Sequence, residues 1–281
     1  MKYYVTADTH GFFDELQEAL DREGFFADAE PHKLIVCGDL FDRGEQAVQL
    51  QQFILELLDK EEVILIRGNH EDLAMDLLNG WSSGSYFHDH HHSNGTINTV
   101  LQLTECTKAD LFYAPEEVGR EFLHTPFVQK IIPSMVDYFE TPHFIFTHGW
   151  IPCTVINRAG RVRGAGSASS VSDVHDAGDA SGVGSTTSYA YDIDWRRAPQ
   201  SAWEQARWIN GMEAAHEGAI EPGKTIVCGH WHCSFGHAHY EGNGGEFDSS
   251  PNFSPYYGEG IIALDACTAR SRKVNCIVLE D

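Results

Sequence analysis

The chain has 281 residues, 42% hydrophobic and 11% aromatic, enough for one large α/β domain or two small ones with a substantial core. A formal net charge of −23, from 19 basic and 42 acidic residues, repels duplex nucleic acid and anionic membrane. It also repels a phosphorylated substrate unless bound cations reverse the sign locally. No apolar run approaches the ~20 residues of a membrane span, and a strand-like run from Lys2 leaves no place for a signal peptide. Seven cysteines without a CxxC pair read as reduced, mostly buried thiols of a cytoplasmic protein.

In chain order, KYYVTA (2–7) is a strand that runs into ADTHG and delivers Asp8 and His10. A helix-like segment, 12–22, follows. The next strand, KLIVCG (33–38), runs into GDLFDRG and delivers Asp39, Asp42 and Arg43. Charges at the end of a buried strand are costly unless paired or bound to metal, so this stretch demands partners. Residues 45–61 form a helix whose Val48, Phe53, Ile54, Leu57 and Leu58 make an apolar stripe. The third strand, VILIRG (63–68), ends in GNHED and delivers Asn69 and His70. A repeat of about thirty residues is the size of a βαβ unit. Parallel strands joined in this way put their C-terminal ends on one sheet edge, so Asp8, Asp39 and Asn69 meet there.

Residues 81–140 read as a helical, cap-like segment inside a single domain, 1–281. Its HDHHH (88–92) reads as a solvated polar turn, and His237 and His239 read as solvated too. HFIFT (143–147) delivers His148. Residues 158–191, dominated by Gly, Ser, Ala and Asp, read as a flexible insertion. A Trp-rich helix spans 202–215, and Trp195, Trp203 and Trp208 read as packing residues. TIVC (225–228) delivers His230 and His232. Strands at 260–267 and 273–280 are expected to form a closing hairpin across TARSR. Cys37 and Cys228 read as buried packing residues.

Five strand ends thus carry ligand-type side chains. Mixed carboxylate, imidazole and amide donors suit Mn²⁺, Fe or Zn²⁺. The set exceeds the needs of one ion, and one carboxylate bridging two ions would use it. Ions roughly 3.5–4 Å apart stabilise the attacking and leaving oxygens of an in-line displacement, which points to phosphate ester hydrolysis by metal-bound hydroxide.

ADTHG, GDLFDRG, RGNHE, THG and GHWH resemble the metal motifs of the calcineurin-like metallophosphoesterase superfamily. DRG with NHE is similar to its phosphoprotein phosphatase branch, which includes diadenosine tetraphosphatases. NGTINT (94–99) resembles an NGGxxT element of bacterial members, and SMVDYFETPHFIFTHGWIP (134–152) follows their pattern.

The resemblance implies a four-layer α/β/β/α sandwich of two mixed sheets. It implies two divalent ions, with manganese expected and iron or zinc as alternatives. Asp8 and His10 would bind metal one, Asp39 would bridge, and Asn69, His148 and His230 would bind metal two. His70 would be the general acid, oriented by Asp42, with Arg43 and Asn69 on the phosphoryl group. His232 completes a GHxH pattern that often adds a ligand to metal one, although the phosphoprotein phosphatase branch commonly lacks it. That branch usually adds a second phosphate-binding arginine, for which Arg196, Arg197 and Arg207 are candidates.

The expected activity is phosphomonoester hydrolysis, with a phosphoserine or phosphothreonine protein as substrate, by a hydroxide bridging two metals. The alternatives are a dinucleoside polyphosphate hydrolase, a phosphodiesterase, and a metal-stabilised scaffold without catalysis.

Overall fold

The computed structural model describes residues 1–82, 89–157, 161–163 and 187–281. The N-terminal half alternates strand and helix: β1 (Lys2–Thr6), α1 (Phe13–Glu23), β2 (His32–Cys37), α2 (Ala47–Asp59), β3 (Val63–Ile66), α3 (Asn69–Ser82). Next come α4 (Asp89–Ser93), α5 (Thr96–Thr104), α6 (Lys108–Tyr113), α7 (Pro115–Leu123) and α8 (Ile132–Ser134). Strands β4 (Phe139–Glu140), β5 (Phe144–Phe146), β6 (Thr154–Asn157), β7 (Arg161–Arg163) and β8 (Thr187–Ala190) come next. The chain then runs through α9 (Gln200–Ala206), α10 (Gly211–His216), β9 (Thr225–Cys228) and α11 (Cys233–Tyr240). It closes with β10 (Tyr256–Gly258), β11 (Ile261–Ala263), α12 (Thr268–Ser271) and β12 (Cys276–Glu280).

One sheet has the order β12-β1-β2-β3, and a second has β10-β11-β9-β5-β4. Both are mixed: β1, β2 and β3 are parallel, as are β5, β9 and β11, while β12, β4 and β10 are antiparallel edges. Because strand side chains alternate, β1 and β2 each feed two cores. Tyr3, Val5 and Ile35 face Phe146, Val227 and Ile262 between the sheets. Tyr4, Leu34 and Val36 face Leu16, Leu50 and Ile54 of α1 and α2. Beyond the second sheet, Ile145 and Ile226 pack on Trp150, Trp203 and Met212. Three cores between four layers make the α/β/β/α sandwich that the resemblance implied.

Some expectations need correction. β11 and β12 do not form a hairpin. Leu264 N–H bonds to Cys228 O in the second sheet, and α12 then carries the chain across to pair β12 with β1. The expected helix over 202–215 is two helices, because Asn210 leaves the helix and caps α10 by accepting from Met212 and Glu213 N–H. Of the segment expected as a flexible insertion, 158–160 and 164–186 lie outside the described residues. Its ends, β7 and β8, join β6 in a small third sheet. HDHHH is not a wholly solvated turn: residues 89–93 form α4 with His91 buried. His237 is buried as well, against Glu241 and Ser254 O. Trp208 is 40% exposed and lies edge-on to the His230 ring. No helix among the described residues is long and apolar enough to cross a membrane.

Candidate metal centre

The ligand-type residues lie where parallel strands end. Asp8 and His10 follow β1, Asp39 follows β2, Asn69 and His70 open α3 after β3, His148 follows β5, and His230 follows β9. Backbone hydrogen bonds lash the first two loops together: Asp8 N to Gly38 O, His10 N to Asp39 O, and Gly44 N to His10 O. Asp8, His10, Asp39, Asp42, Arg43 and His230 all adopt left-handed backbone angles, with φ from 48 to 73. Such conformations are sparse for non-glycine residues and concentrate at functional loops.

Asp39 sits at the middle. One group of donors is His10, Asp39 and His70, and another is Asp39, His148 and His230. Asp39 Oδ2 faces His10 Nε2 at 3.9 Å and His70 Nε2 at 3.8 Å, while Oδ1 faces His148 Nε2 at 3.4 Å. Asn69 Oδ1 joins the second group, 2.7 Å from His148 Nε2 and 3.0 Å from His230 Nδ1. The Asp8 carboxylate lies alongside and accepts from His230 N–H at 3.0 Å.

The donor chemistry fits divalent metal. His10 donates Nδ1–H to Phe41 O (3.0 Å), and His148 donates Nδ1–H to Cys37 O (2.8 Å). A carbonyl only accepts, so in each neutral ring Nε2 carries the lone pair. Burial keeps these rings neutral: it holds His10 well below the usual imidazole range and His148 down to about 3. Bare imidazole nitrogens therefore point at carboxylate oxygens, an arrangement that calls for a cation between them. The carboxylates say the same. Burial pushes Asp8 and Asp39 well above the ordinary carboxylate range, and Asp265 upward. The Asp265 and Asp39 charges add to the rise at Asp8, and Glu71 adds to it at Asp39. Glycine leaves the room: a Cβ at Gly38 would strike the His148 ring, at Gly68 Asp39 Oδ1, and at Gly229 Asp8 Oδ2.

The family profile of the calcineurin-like phosphoesterases matches residues 1–234. The chain belongs to this family. Among relatives, the asymmetrical bis(5'-nucleosyl)-tetraphosphatase PrpE of Bacillus velezensis is 28% identical over 129 residues, 44% of this chain and 47% of that protein. The symmetrical bis(5'-nucleosyl)-tetraphosphatase of Actinobacillus succinogenes is 39% identical over 71 residues, 25% of this chain and 24% of that one. The chain thus spans about half the length of the first relative and about a quarter of the second. Among solved structures, the cold-active protein-tyrosine phosphatase of a psychrophilic Shewanella aligns with a TM-score of 0.48 and 15% identity, covering all of this chain and 75% of that one.

In this calcineurin-like phosphoesterase, His70 Nδ1 lies 2.7 Å from Asp42 Oδ2, and Arg43 Nη2 lies 3.2 Å from His70 Nε2. The guanidinium can only donate, so neutral His70 carries its proton on Nδ1 and presents Nε2 to the site. Burial pushes the Asp42 carboxyl up to about 6, against hydrogen bonds from Thr99 and Thr96. His232, which opens α11, meets an acid. Its Nε2 meets Glu246 Oε1 at 2.9 Å, and the ring lies against Phe247. Arg207 is buried and paired with Asp72 and Asp137, while Arg196 is paired with Glu140 and Glu221. Both are held by carboxylates within the fold. Arg197 is exposed.

Four further residues support the site and received no role from the sequence. Thr96 and Thr99, inside NGTINT, donate to the two Asp42 oxygens at 2.7 Å each. Glu71, the acid of NHE, accepts from Asp39, Leu40 and Gly68 N–H and latches the loop that carries Asp39. Asp265 follows β11 as Asp8 follows β1. That shared pattern, an apolar strand ending in an acid, was the available signal.

Proposed function

We propose that this chain is a metal-dependent phosphoesterase that hydrolyses dinucleoside polyphosphates, with two divalent ions, manganese by preference, held at Asp39. The observation that carries the chemistry is the sharing of one carboxylate, Asp39, between two groups of imidazoles. The substrate class follows the relatives, which are bis(5'-nucleosyl)-tetraphosphatases and favour the dinucleotide alternative over the phosphoprotein expected from the motifs.

In this reading Asp8, His10 and Asp39 hold one ion, and Asp39, Asn69, His148 and His230 hold the other. His232 completes the first set only if it leaves Glu246. When bound, such ions neutralise phosphoryl oxygens and make water nucleophilic at neutral pH. Arg43, exposed beside the cluster, donates to the phosphoryl oxygens, and Asn69 borders the same space. Once phosphate takes the guanidinium, His70 Nε2 is released to carry a proton. Asp42, held by Thr96 and Thr99, accepts from Nδ1–H and orients the ring, so that Nε2–H protonates the leaving oxygen. Segment 81–140, whose α5 supplies both threonines, serves as a cap within one domain.

The test compares kcat/KM for diadenosine tetraphosphate and for a phosphoserine peptide in one Mn²⁺-loaded preparation. A clear preference for the dinucleotide is expected. A clear preference for the peptide overturns the substrate assignment and returns the reading to a protein phosphatase.

A further inference from the structure

We propose that Asp76, His90 and His91 form a separate site for one zinc-class divalent ion, which fastens α4 to α3. Asp76 Oδ2 lies 3.2 Å from His91 Nε2 and 3.7 Å from His90 Nε2. All three donor atoms lie within 4.8 Å of one another. Tetrahedral zinc with bonds of about 2.0–2.1 Å sets adjacent ligand atoms roughly 3.3 Å apart, so these separations need little adjustment. Two imidazole nitrogens and one carboxylate suit zinc, with a fourth position left for water; magnesium and calcium prefer all-oxygen shells.

The two rings lie 4.0 Å apart and turn Nε2 toward the same carboxylate oxygen, so one divalent ion can take both imidazoles and the carboxylate together. Exposure fits a loadable site: the His91 side chain is 2% exposed and fixes the position, while His90 is 43% and Asp76 61% exposed and leave an entrance.

The site has a structural consequence. Four residues after His91, Gly95 approaches the Arg43 backbone so closely that a Cβ there would strike Arg43 N. Thr96 and Thr99 then hold Asp42. An ion that ties α4 to α3 therefore steadies the segment that grips Asp42; Asp76, His90 and His91 act as positioning residues.

The experiment titrates Zn²⁺ into the 281-residue protein by calorimetry, with bound zinc counted by elemental analysis. The variants are Asp76→Asn and His90→Ala, each alone and combined with Asp39→Asn to disable the Asp39 centre. Adding Asp76→Asn or His90→Ala to Asp39→Asn should lower the bound zinc by one equivalent. The same ion should give an anomalous diffraction peak between α3 and α4. Both side chains are exposed, so the fold, checked by circular dichroism, is retained. Zinc binding in Asp39→Asn/Asp76→Asn equal in number and affinity to that in Asp39→Asn overturns the site and leaves an ion pair only. So does the absence of any zinc bound to folded Asp39→Asn. Neither result depends on which phosphorylated substrate is turned over.

Discussion

His70 Nδ1 lies 2.7 Å from Asp42 Oδ2, and that carboxylate takes hydroxyl hydrogen bonds from Thr96 and Thr99, also at 2.7 Å. The imidazole is thus positioned through a chain that starts in α5 and ends at the centre. Asp42→Asn breaks the chain in its middle. It should lower kcat on phenyl phosphate by about 10²-fold or more, the range of general acid catalysis. The loss on p-nitrophenyl phosphate should be smaller, because its leaving group needs less protonation. Thr99→Val should follow the same pattern more weakly, with a stability loss of about 1–3 kcal/mol for an unsatisfied buried acceptor. Equal losses on both esters would remove His70 from the acid role.

Gly229 tests the packing of the centre. A Cβ at this position would strike Asp8 Oδ2, and Ala7 lies close by. Gly229→Ala should therefore displace the Asp8 carboxylate. We expect Mn²⁺ affinity to fall by about tenfold or more, as when a supporting group of a metal site is lost, with the circular dichroism spectrum unchanged. Titration of metal-free protein checks it; unchanged affinity would take Asp8 out of the ligand set.

Arg196 is bound on both sides by carboxylates, Glu140 and Glu221. The Arg196 hydrogen bonds, helped by Lys224, hold the Glu140 carboxyl down to about 2, against an ordinary value of 4.5. A depressed carboxylate contributes stability above its unfolded value and loses it as pH falls through 4.5 towards 2. Glu140→Gln should flatten that loss. The urea midpoint of the wild type should fall more steeply between about pH 5 and 3 than that of the variant. Arg196→Gln should lower stability and leave KM unchanged; a raised KM would return it to the phosphate clamp.

The ligand loops are legible in the sequence because each follows a short β-rich run that ends near glycine. Parallel βαβ connectivity then forces Asp8, Asp39 and Asn69 to one edge. Partnerships set by long-range packing are not legible. Arg207 meets Asp72 and Asp137, 135 and 70 residues away, and nothing in its neighbourhood in the chain announces either. The turn after β11 misleads for a related reason. TARSR looks like a hairpin turn, but Leu264 stays in the second sheet while Cys276 joins the first. HDHHH looks polar and solvated, yet His91 is buried, with its Nε2 3.2 Å from Asp76 of α3. Substrate choice is hidden more deeply, since one metal centre serves many phosphoesters.

The sharing of Asp39 is the claim on which the rest depends, and it is tested most directly by the Mn²⁺ content of Asp39→Asn against that of the wild type. Both proteins should carry Asp76→Asn, so that only the Asp39 centre is counted. Two equivalents are expected with Asp39 present and at most one without it. Two equivalents at unchanged affinity in Asp39→Asn would contradict the bridge.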